Sequence, residues 1–339
     1  TQRQDYIRKA INCFSNFLID NSITHIIFYD YPHHFDSFVL YILGKYLKKK
    51  IIIISYLFLL GNYRLVIDKN IENRFSNFVN QVNMSNNVNN YNLNKKINNY
   101  IYENKHIKPH YIKEEKSIFY YLLKDLYRSW YRGIFKESNY FIKTKINSNF
   151  EDHNFPNEIY SVFLNFKNRL KIKRLEKKYI KVSLKNIDLD KKFILFLPSV
   201  QPEASSLPLA NYYHDFNIII NMLLKNLPDN WFIYYKEHPL TFNLLKESFI
   251  FKNEKYYDEI SNNKIKFIHH NEDTYKYIKN SQAVATSTGS AGLEATLKGK
   301  PVLNFGTAWW SNYKNIFHIS NNNDLKKVIF NLINNKIKI

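Results

Sequence analysis

Cysteine is almost missing, with Cys13 alone among 339 residues. No disulfide framework can form within the chain, and 11 scattered histidines do not signal a structural zinc cluster. A reducing, cytoplasmic setting is expected. Long apolar runs are missing too. The longest, residues 51–60, is about ten residues against the ~20 a membrane span needs, and it follows Lys48, Lys49 and Lys50, so it reads as a buried strand. No secretory signal is visible: the chain opens Thr-Gln-Arg-Gln-Asp, and its first apolar stretch, Ile11 to Ile19, is interrupted by polar residues. A start at Thr1 reads as a fragment of a longer chain.

Apolar residues make up 45% and aromatics 17%, which excludes a disordered chain and points to a globular protein of two domains. Lys and Arg number 49 against 29 Asp and Glu, a net charge of +20. That excess suits nucleic acid, anionic lipid or a phosphorylated substrate. It is discounted here, because abundant Asn, Ile, Tyr and Phe with only 7 Gly is the bias of an AT-rich coding sequence, which inflates Lys everywhere.

Residues 5–20 carry apolar positions at three- and four-residue intervals, the stripe of an amphipathic helix. His25 to Tyr29 reads as a strand, Phe35 to Tyr46 as a helix and Ile51 to Phe58 as a strand, the rhythm of a parallel α/β unit. The Asn-rich stretch 77–99 reads as a loop or insertion. Residues 117–186 turn helical, with a basic run over 167–181 that is either a membrane-facing surface or the solvated side of a helix joining two domains. Beyond a boundary near 186, strands at 193–197, 231–235, 265–269, 283–285 and 301–304 alternate with helices at 212–227, 241–249, 273–280 and 290–298. This alternation predicts a doubly wound parallel sheet, whose ligands sit outside the carboxyl ends of its strands. The domains are therefore placed at 1–186 and 187–339.

Three strand-end loops carry chemistry. Residues 286–294 offer four hydroxyls and two glycines at a strand-to-helix turn, which suits a phosphate; the plainer alternative is an ordinary helix cap. Glu294, one turn in, is placed to accept from ribose hydroxyls. No Gly-Lys-Ser/Thr follows, so the segment is not a P-loop. At the end of the 231–235 strand, Lys236 is read as a fixed charge and His238 as a hydrogen-bond donor or proton carrier. The loop at 197–206 holds Glu203, either a base or sugar ligand or a solvated turn carboxylate.

Gln201-Pro-Glu-Ala204, Lys236-Glu-His-Pro239, Ser287-Thr-Gly-Ser-Ala-Gly-Leu-Glu294, Gly299-Lys-Pro-Val302 and Phe305-Gly306, in this order, resemble the capsule polysaccharide synthesis glycosyltransferases. These include Kdo transferases, and bacterial sialyltransferases share the His-Pro and Ser/Thr elements. The match is good over 195–318. It is looser before that, where Tyr31-Pro-His-His34 and Arg64 look like an acceptor-side region. The resemblance implies a GT-B-like α/β fold of two Rossmann-like domains facing a cleft, the N-terminal one incomplete. It implies that His238, Ser287 and Thr288 hold the nucleotide of a sugar donor, with Lys236 near its phosphate and Gly289, Ser290, Glu294, Gln201 and Arg64 completing the set. Asp30, His33, His34 and Glu203 stay open as base or nucleophile.

No cofactor and no metal are expected, since such folds stabilise the leaving phosphate with basic residues and helix dipoles. No Asp-x-Asp is evident, and the acidic pairs Glu114-Glu115, Glu151-Asp152 and Glu272-Asp273 read as lying away from the loaded loops. The expected partners are a nucleotide sugar, such as CMP-Kdo or another CMP-linked acidic sugar, a glycan or glycolipid acceptor, and an anionic inner-membrane surface, but not nucleic acid. A nucleotide-sugar epimerase of similar fold and a basic nucleic-acid-binding protein are the competing readings.

Overall fold

The structure is a computed structural model that describes residues 2–59, 62–69, 71, 116–135, 158–203, 205–245 and 247–337. In the N-terminal part, α1 (Gln2–Asp20), β1 (His25–Tyr29), α2 (Phe35–Tyr46), β2 (Lys50–Leu59) and β3 (Asn62–Asp68) follow one another. β1 runs parallel to β2, and β3 returns antiparallel. Alternation along β1 turns Ile26 and Phe28 inward, where with Ile51 and Ile53 they meet Leu18 of α1 and Tyr41 of α2. The strand, helix and strand expected over 25–58 are all present. The Asn-rich stretch 77–99, Glu114-Glu115 and Glu151-Asp152 lie outside the described residues.

Two long helices, α3 (Ile118–Phe135) and α4 (Glu158–Val182), lead to the second sheet. The basic run lies on α4, which buries Ile172, Leu175 and Tyr179 and turns Lys167, Arg174 and Lys177 outward. Arg169 and Asp125 bind α4 to α3 at 2.7 Å. Tyr121 of α3, Ile172 of α4 and Leu244 share one small core.

The C-terminal part contains β4 (Ser183–Leu184), β5 (Lys192–Phe196), α5 (Phe216–Asn226), β6 (Trp231–Tyr235), α6 (Tyr256–Glu259) and β7 (Ile265–Ile268). After these come α7 (Thr274–Asn280), β8 (Ala283–Thr286), α8 (Ala291–Leu297), β9 (Val302–Asn304), β10 (Ile316–His318) and α9 (Asn322–Ile333). Seven parallel strands lie in the order β10-β9-β8-β5-β6-β7-β4. β5 and β8 are buried on both faces, as central strands of a helix-covered sheet must be. Ile194 and Phe196 face a core shared with Tyr179 of α4, Ile219 of α5 and Leu325 of α9. Phe193 and Leu195 face the opposite core, with Tyr277 of α7, Leu293 of α8 and Trp310. A Cβ on Gly292 would lie 2.3 Å from the Trp310 ring, so only glycine lets α8 approach it. The doubly wound α/β fold is thus as expected.

Two local expectations need correction. The helix expected over 212–227 starts only at Phe216, because a 3-10 turn at Asn211–His214 precedes Asp215, whose carboxylate caps α5 by accepting from Asn217 N–H. The helix expected over 241–249 is two 3-10 turns, Pro239–Phe242 and Ser248–Ile250. Between them Asn243 accepts from Leu245 N–H, a local bond that competes with helix. β10 and α9 were not anticipated.

Candidate functional site

Connections from β5 run through β6 to β7 on one side, whereas β8, β9 and β10 build outward on the other. The order reverses between β5 and β8, and a crevice opens at such a switch point beyond the carboxyl ends of the strands. Ser287 is the first residue after β8, and Ser199 lies in the loop after β5. Their Oγ atoms are 2.8 Å apart, and Ser199 Oγ lies 3.4 Å from Thr288 Oγ1. The Thr288 hydroxyl donates to the Ser205 carbonyl. Thr286 donates to the Leu197 carbonyl at 2.8 Å and accepts from Gly289 N–H at 3.3 Å. The Ser/Thr loop is therefore held by side chains bridging two neighbouring strand ends. Ser290 occupies the cap position of α8 without a side-chain cap bond, so ordinary helix capping does not account for it. Glu294 is half-buried in the first turn of α8.

The loop after β5 folds over this point. Gln201 is buried and its amide donates to the His214 carbonyl at 2.7 Å, while Glu203 is half-buried in a turn closed by Ser206. Leu209 reaches into the N-terminal core beside Tyr31, and its carbonyl accepts from Thr307 N–H at 2.8 Å. At Gly306 a Cβ would lie 2.6 Å from Thr288 Cγ2 and 2.9 Å from the Leu209 and Ser287 carbonyl oxygens, so the β9 loop can pass here only as glycine. Leu209 thereby links the loop after β1 to the crevice.

At the end of β6 the three adjacent polar residues diverge. Lys236 is 3% exposed and donates to the His270 carbonyl at 2.9 Å, so its side chain serves the β7 side. Burial pushes its pKa down to about 8, against the pull of Asp273, Glu272 and Glu237. Glu272 and Asp273, expected away from the loaded loops, are thus electrostatic neighbours of Lys236. Asp273 caps α7 by accepting from Tyr275 N–H, and Glu272 accepts from the Tyr277 hydroxyl. Glu237 is fully buried, paired with Lys252 at 2.6 Å, and accepts from the hydroxyls of Tyr235, Thr241 and Tyr257. His238 Nδ1 accepts from Leu240 N–H at 3.1 Å, which puts the proton of the neutral ring on Nε2 and makes that atom a donor.

Tyr179 of α4 joins this framework, donating to the Ile268 carbonyl at 2.5 Å and accepting from Glu237 N–H at 3.0 Å. Burial foremost, then the Glu237 charge, raises the pKa of its hydroxyl and keeps it protonated. His270 is pushed down to about 4, chiefly by burial and then by His269 and Lys236. At neutral pH its 3.7 Å approach to Glu176 is therefore not an ion pair.

The N-terminal candidates gather around the end of β1. Asp30 adopts φ 83° and accepts from Tyr31 N–H at 2.7 Å, and His33 Nδ1 meets the Tyr31 carbonyl at 2.8 Å. The rings of His33 and His34 lie 4.3 Å apart. Arg64 stands on β3 opposite Leu57. A cavity of about 510 Å³ opens at the amino ends of β1 and β2, lined by Ser22, Thr24 and Lys48 to Lys50. Parallel sheets bind ligands at the opposite end, so this cavity is not taken as the site. Among the described residues no three His, Cys, Asp or Glu side chains gather as a metal site. No described helix is long and apolar enough to cross a membrane.

Sequence reasoning passed over Ser199, Tyr179, Lys252 and His270. Ser199 carried one signal, its place three residues past a central strand.

No curated protein matches the chain. Similar solved structures include two of Thermosulfurimonas dismutans KpsC. One is titled beta Kdo 2,7 transferase: 19% identity over 50% of this chain and 62% of that one, TM-score 0.29. The other is titled beta Kdo 2,4 transferase: 14% identity, 45% and 49% covered, TM-score 0.30. UDP-GlcNAc 2-epimerase of Methanocaldococcus jannaschii aligns at 14% identity over 97% of this chain and 75% of that one, TM-score 0.33. The chain thus spans less than two thirds of either KpsC chain. The profile described as capsule polysaccharide biosynthesis protein matches residues 89–315, more than half of the sequence and all three loaded loops. The chain belongs to the capsule polysaccharide biosynthesis protein family.

Proposed function

We propose that the chain is a glycosyltransferase that moves a sugar, from CMP-Kdo or another CMP-linked acidic sugar, to a surface polysaccharide or glycolipid acceptor. The observation that carries this reading is the convergence of Ser199, Ser287 and Thr288 at the β5/β8 switch point, in a chain of a capsule polysaccharide family. Residues 187–339 form the half that takes the nucleotide sugar and 1–186 the acceptor half, with Glu203, Asp30 and His33 as candidate bases at their junction. The hydroxyls and the Nε2–H of His238 meet charge on the departing nucleotide, and fixed dipoles of this kind need little reorganisation during reaction. Lys236 contributes through its field, since its side chain is buried, with its ammonium on the His270 carbonyl. Gln201, Gly289, Ser290, Glu294 and Arg64 complete the proposed binding set, and the chemistry runs without a divalent metal.

The enzyme works in the cytoplasm against an anionic inner-membrane surface. Support comes from the +20 charge and from exposed Phe119, Leu123, Tyr127 and Trp130 on α3. Vesicle sedimentation at low and high salt tests this contact; absence of low-salt binding refutes it. The activity is tested by incubating the chain with CMP-, UDP- and GDP-sugars plus capsular or lipid-linked acceptors in excess EDTA. Acceptor-dependent nucleotide release is expected. Interconversion of a UDP-sugar without acceptor would instead make the chain an epimerase, and activity restored only by Mg or Mn would refute metal independence.

A further inference from the structure

One face of α3 turns large apolar side chains to solvent. At about 100° per residue, Phe119, Leu123, Leu126, Tyr127 and Trp130 fall within an arc of about 100°. All five are exposed, between 46% and 72%. The helix is held from its other side. Tyr121 is buried in the small core with Ile172 of α4 and Leu244, and Asp125 pairs with Arg169, whose guanidinium lies 5.1 Å from the centre of the Tyr121 ring. A contiguous apolar stripe of this size on the surface marks a contact with an apolar partner.

The charges beside this face have one sign. Lys124 and Arg128 run along its edge, with Lys124 Nζ 6.0 Å over the Tyr120 ring. Asp125, the one acid of α3, is turned away to Arg169. A second copy meeting the face across a two-fold axis would set cations against cations. An anionic bilayer meets the apolar side chains with acyl chains and the cations with headgroups. The aromatic residues agree with lipid: Tyr120, Tyr127, Trp130 and Tyr131 each carry a polar tip on an apolar ring, the kind of side chain that settles at headgroup level.

We infer that α3 lies in the plane of an anionic bilayer and inserts its Phe119-to-Trp130 face at the boundary between headgroups and acyl chains. This rests on the membrane contact proposed above and deepens it. A contact made by the +20 charge alone dissolves in salt, whereas an inserted apolar face holds. The insertion also bears on the crevice. Leu244, packed on the inner side of α3, lies just past the 3-10 turn that His238 caps, so the inserted helix ties the β6 loop to the surface where a lipid-linked acceptor lies.

Vesicles of equal parts phosphatidylglycerol and phosphatidylcholine, with and without bromine on the acyl chains, test the inference at low salt and at about 1 M salt, where charges are screened beyond about 3 Å. Trp130 is a built-in probe, because Trp231 and Trp310 are buried and Trp309 is half-buried. The intact chain stays on the vesicles at high salt, its tryptophan emission shifts to the blue, and brominated chains quench it. Trp130→Phe loses the shift and the quenching but still sediments. Leu123→Ser/Trp130→Ser weakens high-salt binding about 10- to 100-fold, as the loss of two inserted apolar side chains should, and keeps the urea midpoint because both positions are exposed. Binding that vanishes at high salt, or bound chain whose emission is neither shifted nor quenched, would overturn the insertion while leaving the surface contact in place. No sedimentation at low salt would overturn the contact itself. A lipid-free dimer that Leu123→Ser/Trp130→Ser dissociates would also overturn the insertion, assigning the face to a second copy. Quenching in the intact chain needs no variant, so a substitution that unfolds the protein does not remove the test.

Discussion

Replacing Lys236 by methionine tests how the β6 loop is built. The lysine stem packs at the end of β6, and its ammonium lies buried on the His270 carbonyl, with a pKa lowered from 10.5 to about 8. Desolvation is the leading cause and outweighs Asp273, Glu272 and Glu237, which all act in the opposite direction. In the unfolded chain the ammonium keeps its proton to about 10.5, so between 8 and 10.5 the unfolded state binds more protons than the folded one. Stability must then rise with pH through that window and be flat with respect to this group below it. At about 1.4 kcal/mol per pKa unit the full effect is about 3 kcal/mol, of which about 2 kcal/mol develops by pH 9.5. Urea unfolding of both proteins at several pH values from 7 to 9.5 reads the effect as a difference, in which other titrating groups cancel. The unfolding free energy of the parent minus that of Lys236→Met should climb by about 2 kcal/mol from pH 7 to 9.5. A flat difference would show that the acidic neighbours, not burial, govern this lysine.

Two further outcomes follow from the same framework. Lys252→Met leaves the Glu237 carboxylate buried without its ion pair and should cost on the order of 3–5 kcal/mol in chemical denaturation, with much of the loss recovered in Lys252→Met/Glu237→Gln; equal instability of single and double variants would argue against the pair. His270, lowered from 6.5 to about 4, takes up its proton in the unfolded chain first, so the protein should lose about 3 kcal/mol between pH 6.5 and 4 relative to His270→Phe, and parallel acid profiles would refute that.

How much of this could be read beforehand depended on whether the cause was local. The strands at 231–235 and 283–286 were legible because central parallel strands are apolar on both faces. The helical expectation over 241–249 failed because Leu244 has the spacing of a helix but packs on Tyr121 and Ile172, elements far away in sequence. β10 and α9 were hidden by surrounding asparagines, although Asn321 is the cap of α9, accepting from Asn323 and Asp324 N–H. The Ser/Thr loop stood out because hydroxyls and glycines cluster within it. Ser199 did not, since its partner lies 88 residues away and only the β5/β8 pairing joins them. Lys236 and Glu237 looked alike as polar residues of a ligand-facing loop. Burial separates them, one serving the β7 loop and the other sealed among tyrosines, and burial at a strand end is decided by what packs over it.

The central claim is that a nucleotide sugar is held at the β5/β8 switch point, and a crystal structure of the chain with CMP at saturating concentration tests it most directly. The account predicts the nucleotide beyond the carboxyl ends of β5 and β8, with its phosphate at the 287–290 loop and the Nε2 of His238 donating to it. A nucleotide seated elsewhere on the chain would contradict it.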